Sequence, residues 1–286
     1  MKNKRRFLIL TSDSGFGHRS ASKSVLKALE ALHPEGAECV IVNPILETDS
    51  PRFIKNLETN YDHTVMRTPA FYRFTYEISD SRLVSDLVAG ALSLALQRNI
   101  RELIREYRPE VILNTNQNFN APAGTAIREL GMPIPLLTAV TDLADVHTMW
   151  FNEFPEQFFV ASEWVRIKAE DSGIAPEKVV ISGIPVDPDF ALNAQTRKQA
   201  RTQLGLEKDL ITVLMVGSTR VENIDKNLQA LEKVRFPIQV VMIAGGNTAL
   251  FRRIQRMPTH FPVVAQNFVS NMSDWMMAAD VLVTKA

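Results

Sequence analysis

Cysteine is almost missing from this chain of 286 residues. Cys39 stands alone, so neither an internal disulfide nor a cysteine-built metal site can form. It lies on the alternating apolar run AECVIVNPI, where a core thiol is expected rather than a reactive one. Net charge is lacking as well, because 32 Lys and Arg residues offset 32 Asp and Glu residues. That balance excludes a broad nucleic-acid surface and leaves only a local basic patch open. Long hydrophobic runs are also absent. The basic start MKNKRR leads into the short apolar run Phe7-Leu8-Ile9-Leu10, too brief for a signal-peptide core. The longest later stretch, LVAGALSLAL at 87–96, falls short of a bilayer span. A soluble, cytoplasmic chain is expected, with peripheral contact at an anionic membrane surface left open.

Several catalytic signatures are missing too. The chain has no H-E-x-x-H, no EF-hand loop, no G-x-S-x-G, and neither G-x-G-x-x-G nor G-x-x-x-x-G-K-[ST]. These absences weaken zinc-hydrolase, calcium-binding, serine-hydrolase, dinucleotide and P-loop readings. No tightly bound metal and no cofactor are expected.

What remains is an ordinary globular composition, 45% hydrophobic and 22% charged, in a chain long enough for two domains. Strand-like runs alternate with helical ones: RRFLIL, ASKSVLKALEALH, AECVIVNPI, RNIRELIREY, PEVILNTN, NAPAGTAIREL, PIPLLTAVTD, EQFFVAS, EWVRIKAEDSG and KVVISGIP. This rhythm predicts α/β architecture with a parallel sheet covered by helices. Residues 51–100 interrupt it with a long helical region, where Arg67, Arg73 and Arg82 lie among Phe71, Tyr72, Phe74 and Tyr76. Either helix packing with solvated arginines or a surface for lipid headgroups or a bulky acceptor fits this pattern. Composition turns polar over 183–210, which suggests a linker near residue 190. The rhythm then resumes with ITVLMVGS, NIDKNLQALEKV, IQVVMIAGG, PVVAQNFV, MSDWMMAAD and VLVTKA. Two domains are predicted, 1–190 and 191–286, the second incomplete because the chain stops on a strand where ligand groups of open α/β sheets are expected.

The turn TSDSGFGHRS follows the first strand directly. Gly15 and Gly17 relieve steric limits where the chain bends or lets a ligand approach, and the helix after them presents free N–H groups. His18 has two open roles. Its ring either packs against the turn, or it accepts a proton from a hydroxyl nucleophile near neutral pH. Asp13 reads as a turn former or as the partner of His18, the turn being the safer reading. Thr141 and Asp142 in TDLADVHTMW sit at another strand end. His147 and Trp150 would share a face if that piece is helical, and Trp150 either stacks on a sugar or packs in the core. In the second half, VGSTRVEN and AGGNTAL each follow a strand and precede a helix, a placement that suits a diphosphate.

Four ordered segments carry a family resemblance. SDSGFGHRSASKSVLKAL resembles the opening of the monogalactosyldiacylglycerol synthase and processive diacylglycerol glucosyltransferase group. TDLADVHTMWFNEFPEQFFVAS, GIPVDPDF and FVSNMSDWMMAADVLVTKA resemble its later motifs, so the likeness runs from about residue 6 to the last residue. A more distant similarity holds to the enzyme that adds N-acetylglucosamine to the lipid-linked peptidoglycan precursor.

The resemblance implies a GT-B fold of two Rossmann-like domains, an N-terminal acceptor domain and a C-terminal UDP-sugar domain. It implies an inverting, metal-independent transfer of a hexose to a lipid acceptor such as diacylglycerol, at the cytoplasmic membrane face. His18 would be catalytic, and Gly15, Gly17, Thr141, Asp142, His147 and Trp150 would serve the acceptor side. Gly217, Ser218, Arg220, Gly245, Asn247, Phe268 and Met272 would serve the donor. The family's glycine run is replaced here by Gly217-Ser218-Thr219-Arg220, and its later glycine-rich turn and acidic residue lie beyond Ala286. Two other readings therefore stand beside it: a non-catalytic nucleotide-sugar or lipid-headgroup binder, and a UDP-sugar epimerase of related fold.

Overall fold

The computed structural model describes residues 5–13, 17–33, 36–59, 80–143, 145–192, 195–218, 221 and 224–284. The chain divides into two compact units, Met1–Pro188 and Asp189–Ala286.

The first unit holds a six-stranded, wholly parallel sheet. Its strands are β1 (Arg5–Leu10), β2 (Ala37–Val42), β3 (Val111–Asn114), β4 (Leu136–Ala139), β5 (Gln157–Val160) and β6 (Val179–Ile181), in the order β2-β1-β3-β4-β5-β6. β1 lies inside the sheet, which explains its unbroken apolar run. Leu8 and Leu10 enter one core cluster while Ile9 enters another, as a parallel strand buried on both faces requires. Among the described residues, helices α1 (Gly17–Leu32), α2 (Arg52–Thr59), α3 (Arg82–Tyr107), α4 (Asn120–Leu130) and α5 (Glu163–Asp171) accompany the sheet.

α1 begins four residues before the predicted ASKS start. Ser22 and Ser24 hydroxyls donate to the His18 and Ser20 carbonyls at 3.0 and 2.9 Å, so polar residues that look like loop are absorbed into helix. The end of the long helical region predicted over 51–100 and the run RNIRELIREY form one helix of 26 residues, α3. Leu96, Ile100, Leu103 and Ile104 bury its C-terminal half in the main core. Arg67, Phe71, Tyr72, Arg73, Phe74 and Tyr76 lie outside the described residues. Arg82 starts α3 and donates to the Ser172 carbonyl at 3.0 Å. No helix among the described residues is long and apolar enough to cross a membrane. Cys39 pairs with Phe7 across β2 and β1, and burial, aided by Glu30, pushes its thiol pKa up, as expected of a packing thiol.

The second unit carries a four-stranded parallel sheet in the order β10-β7-β8-β9. Its strands are β7 (Ile211–Val216), β8 (Ile238–Ile243), β9 (Val263–Gln266) and β10 (Val281–Val283). Helices α6 (Asp189–Leu192), α7 (Arg197–Gln203), α8 (Ile224–Ala230), α9 (Thr248–Gln255) and α10 (Met272–Ala278) accompany them. α7 falls in the stretch expected to be linker. Thr196 and Gln199 form a reciprocal capping box at its start, a signal present in the sequence as T-x-x-Q. Arg201 on α7 is buried. It donates to the Ala278 and Lys208 carbonyls at 2.9 and 2.7 Å and pairs with Asp280. Burial works to raise the Asp280 carboxyl, but the Thr212 N–H and Arg201 hold it below the usual carboxylate range.

Candidate active site

The carboxyl ends of β1, β3 and β4 converge on one histidine. His18 sits half-buried in the first turn of α1. Its Nδ1 lies 2.7 Å from the Thr115 carbonyl oxygen and 2.9 Å from the Thr141 hydroxyl. Thr115 directly follows β3, and its N–H donates to the Leu10 carbonyl at 3.0 Å, so strand pairing itself fixes that oxygen. A carbonyl can only accept. Nδ1 therefore carries the proton, and the Nε2 lone pair is left for chemistry. Burial lowers the ring's pKa below its ordinary value; the Thr115 carbonyl, Asp142 and Glu58 oppose that shift without cancelling it. The imidazole is neutral at neutral pH, the state a general base needs.

Trp150 braces this ring from the protein side. Its indole centroid is 6.2 Å from that of His18, tilted by 48°, and its Nε1–H donates to Asp142 Oδ2 at 2.6 Å. Trp150 is fully buried (0% exposed), so it packs in the core and offers no face for stacking on a sugar. His147 is likewise buried, at 4%. It ends an extended segment and accepts the Met149 N–H at 3.1 Å, capping the short turn Thr148–Trp150. The expected shared helical face is thus replaced by a one-turn bend. Burial lowers the His147 pKa, with nearby Asp80 opposing it. Asp80 accepts the Thr148 N–H and hydroxyl at 2.6 and 2.8 Å and pairs with Lys168 at 3.1 Å. These two residues support the site from behind and do not line it.

Asp13 is not the partner of His18. Both its oxygens engage Arg19 at 2.8 Å, and Asn43 adds a bond at 2.9 Å. Arg19 foremost holds the Asp13 carboxyl below the usual range. Gly17 opens α1, and no described residue comes within 4 Å of where a Cβ would stand, so none of them demands glycine there. Gly15 and Arg220 lie outside the described residues.

The residues missed in the sequence are the buried polar ones. Asn114, Thr115, Asn116, Asn120 and Thr138 are each 0–2% exposed. Asn120 accepts from Thr138 at 2.6 Å and from Asn114, and donates to the Trp150 carbonyl at 2.8 Å. Asn116 caps the turn after β3 through the Asn118 N–H at 3.0 Å. The signal was the asparagine-rich run NTNQNFN at a strand's end, which looks like ordinary loop until its partners are known. Glu58 on α2, also buried, was missed for the same reason.

In the second unit the equivalent strand ends are made mostly of backbone. Gly217 follows β7 and donates its N–H to the Ile243 carbonyl at 2.7 Å. Gly245 follows β8 with φ +59°, and a Cβ there would sit 2.3 Å from the Gly217 carbonyl oxygen. Only glycine fits that contact. Asn247 caps α9 by accepting the Leu250 N–H at 3.0 Å, and its amide reaches the Ser218 carbonyl at 3.4 Å. Phe268, two residues beyond β9, is 70% exposed, whereas Met272 packs against the core beneath α10.

A family model described as monogalactosyldiacylglycerol (MGDG) synthase matches residues 18–186, more than half of the chain. The probable chloroplastic monogalactosyldiacylglycerol synthase of Nicotiana tabacum is 27% identical over 99% of this chain and 54% of its own length. The chloroplastic monogalactosyldiacylglycerol synthase 1 of Arabidopsis thaliana is 24% identical over 99% and 54%. The chain spans about half the length of these curated relatives. Among solved structures, Anabaena HepE, crystallised with UDP-glucose, matches with a TM-score of 0.56 at 14% identity, covering 97% of this chain and 72% of that one. MurG of Acinetobacter baumannii matches at 0.53 and 12%, covering 98% and 72%. The expected GT-B architecture, with two parallel-sheet α/β units, is present. His18 is the first residue of the matched segment, and the match continues to the GIPV stretch; the chain belongs to the monogalactosyldiacylglycerol synthase family.

Proposed function

We propose that the protein is a hexosyltransferase that moves a sugar from UDP to a hydroxyl of a lipid alcohol such as diacylglycerol. The observation that carries this reading is the fixed tautomer of His18: Nδ1–H spent on the Thr115 carbonyl, Nε2 unprotonated. In the proposed reaction the acceptor oxygen attacks the anomeric carbon and its proton passes to Nε2. The bond from that carbon to the diphosphate breaks with inversion, and UDP leaves. Thr141 and Asp142 orient the acceptor hydroxyl beside the ring, while Trp150 and His147 keep the segment in place behind them. The loops at Gly217, Gly245 and Asn247, with the N-terminus of α9, meet the departing charge. Phe268 flanks the base. No metal or cofactor takes part in this scheme.

The donor assignment draws on neighbours of like fold that were solved with UDP-glucose or UDP, and the acceptor assignment on the names of the relatives. Peripheral contact with a membrane is supported by α3, whose Leu83, Leu87 and Leu94 are all more than 70% exposed along one side. On this reading the protein works at the cytoplasmic face.

Saturating UDP in the presence of EDTA tests the donor reading. A ligand that binds only the folded state stabilises it by about 2.7 kcal/mol at a hundredfold excess over Kd, so the Tm is expected to rise by several degrees. An unchanged Tm overturns the nucleotide assignment, and a rise that needs added divalent metal overturns metal independence.

A further inference from the structure

Among the described residues, Glu58 is the buried carboxylate near His18 that the reaction scheme leaves unused. It lies on α2, only 8% exposed. Three donors converge on its Oε1: the Ser12 hydroxyl at 2.7 Å, the Asp13 N–H at 2.7 Å and the Asn43 amide at 2.8 Å. Its Oε2 is buried with no hydrogen-bond partner among the described residues. Ser12 and Asn43 are themselves fully buried. Asn43 also uses its own Oδ1 to hold the Ile45 and Leu46 N–H groups at 3.0 and 3.3 Å.

A packed fold gains little from such a group. Burying a carboxylate costs free energy, and an apolar side chain of similar volume often serves stability as well or better. A carboxylate kept there with half its acceptor capacity unspent points to a use for its charge. Its connections indicate where that charge acts. Ser12 and Asp13 continue directly from Thr11. Thr11 accepts the Thr115 hydroxyl at 3.2 Å, and the Thr115 carbonyl holds His18 Nδ1.

We propose that Glu58 is a positioning residue for His18: it clamps Ser12 and Asp13 directly after β1 and supplies a carboxylate that favours the imidazolium as it forms. The proposal rests on His18 acting as the base, and it names a partner that lies in a different element from the base. The other charged groups around the ring do not replace it. Asp142 faces His18 but shares its Oδ2 with the Trp150 indole. Asp13 is held by Arg19, whose guanidinium also engages Glu47 at 2.7 Å. The charges of Glu58 and Asp142 both favour the protonated ring, against burial.

The test is an NMR titration of the His18 ring in the protein as it stands, assigned by loss of the signal in His18→Gln. Glu58→Gln keeps the size of the side chain and an acceptor oxygen for the three donors but removes the charge. Its His18 midpoint is expected to fall by roughly half a pH unit or more, while Glu58→Asp, which keeps the charge, stays nearer the wild type. An unmoved midpoint in folded Glu58→Gln overturns the proposal. Should that variant fail to fold, the wild-type protein decides. Coupling is reciprocal, so the Glu58 carboxyl carbon must show a step at the His18 midpoint that disappears in His18→Gln. Absence of that step overturns the proposal equally. Both readouts are independent of turnover, so a protein that shows the coupling but transfers no sugar would reject the transferase reading and leave the Glu58–His18 link standing. In an active form, Glu58→Gln is expected to lower kcat about threefold to tenfold and to move the acid limb of kcat/KM to lower pH, with UDP affinity unchanged.

Discussion

The carboxyl edges of the two sheets are built differently, although both sheets are wholly parallel. In the first unit the edge is built from side chains: His18, Thr115, Asn120, Thr138 and Asp142 are linked by hydrogen bonds, most of them away from water. In the second unit it is built from peptide groups, with Gly217 and Gly245 nested so closely that a methyl group has no room. Side chains can move protons. Bare backbone can only approach and donate. The contrast teaches that a parallel sheet presents one general site, and the residues at its strand ends decide between proton transfer and anion binding.

The contrast is broken most directly at His18. His18→Ala, in a form competent for transfer, is expected to lower turnover by about 10²- to 10⁴-fold, with the UDP dissociation constant unchanged by calorimetry. Equal losses in both quantities would reject the division of labour. Gly245→Val is the converse. Its side chain meets the Gly217 carbonyl, and φ +59° disfavours a branched residue, so a loss of about 2–4 kcal/mol in the second unit is expected. Denaturant melts read that loss, and UDP binding should fall with it.

Trp150→Phe probes the support behind the base. It keeps an aromatic ring in the core but removes the donor to Asp142, and about 1–2 kcal/mol of stability should be lost. The smallest effect concerns pH. His18 and His147 both have folded pKa values below the ordinary one, burial being the main cause in each. As pH falls below about 6.5 the unfolded chain binds protons before the folded one does. Stability therefore declines on acidification and returns as pH rises. Loss of this dependence in a His18→Gln, His147→Gln double variant checks the sign.

The strands of both sheets were legible because continuous apolar runs such as FLIL and VVMI have few alternatives in a chain of this composition. His18 was legible because glycines beside a histidine after a strand form an unusual combination. What escaped notice was polar and buried. The capping box that starts α7 lay inside a stretch read as linker, and Arg201 within it forms a buried ion pair with Asp280. Asn120 and Glu58 escaped similarly: a buried polar residue is recognised by its partners, which lie as far as 30 residues from Asn120 and 46 from Glu58. Trp150 was ambiguous for a different reason, since an indole suits a sugar face and a core equally until its exposure is known.

One consequence follows from the oxygen that faces His18 Nδ1. It belongs to the main chain at position 115, and every amino acid brings the same oxygen to that place. A point substitution at 115 can alter the surrounding hydroxyl contacts without erasing the instruction that keeps the imidazole in its reactive form. The tautomer of His18 is thus written into the weave of the sheet, where mutation of individual letters has little purchase on it.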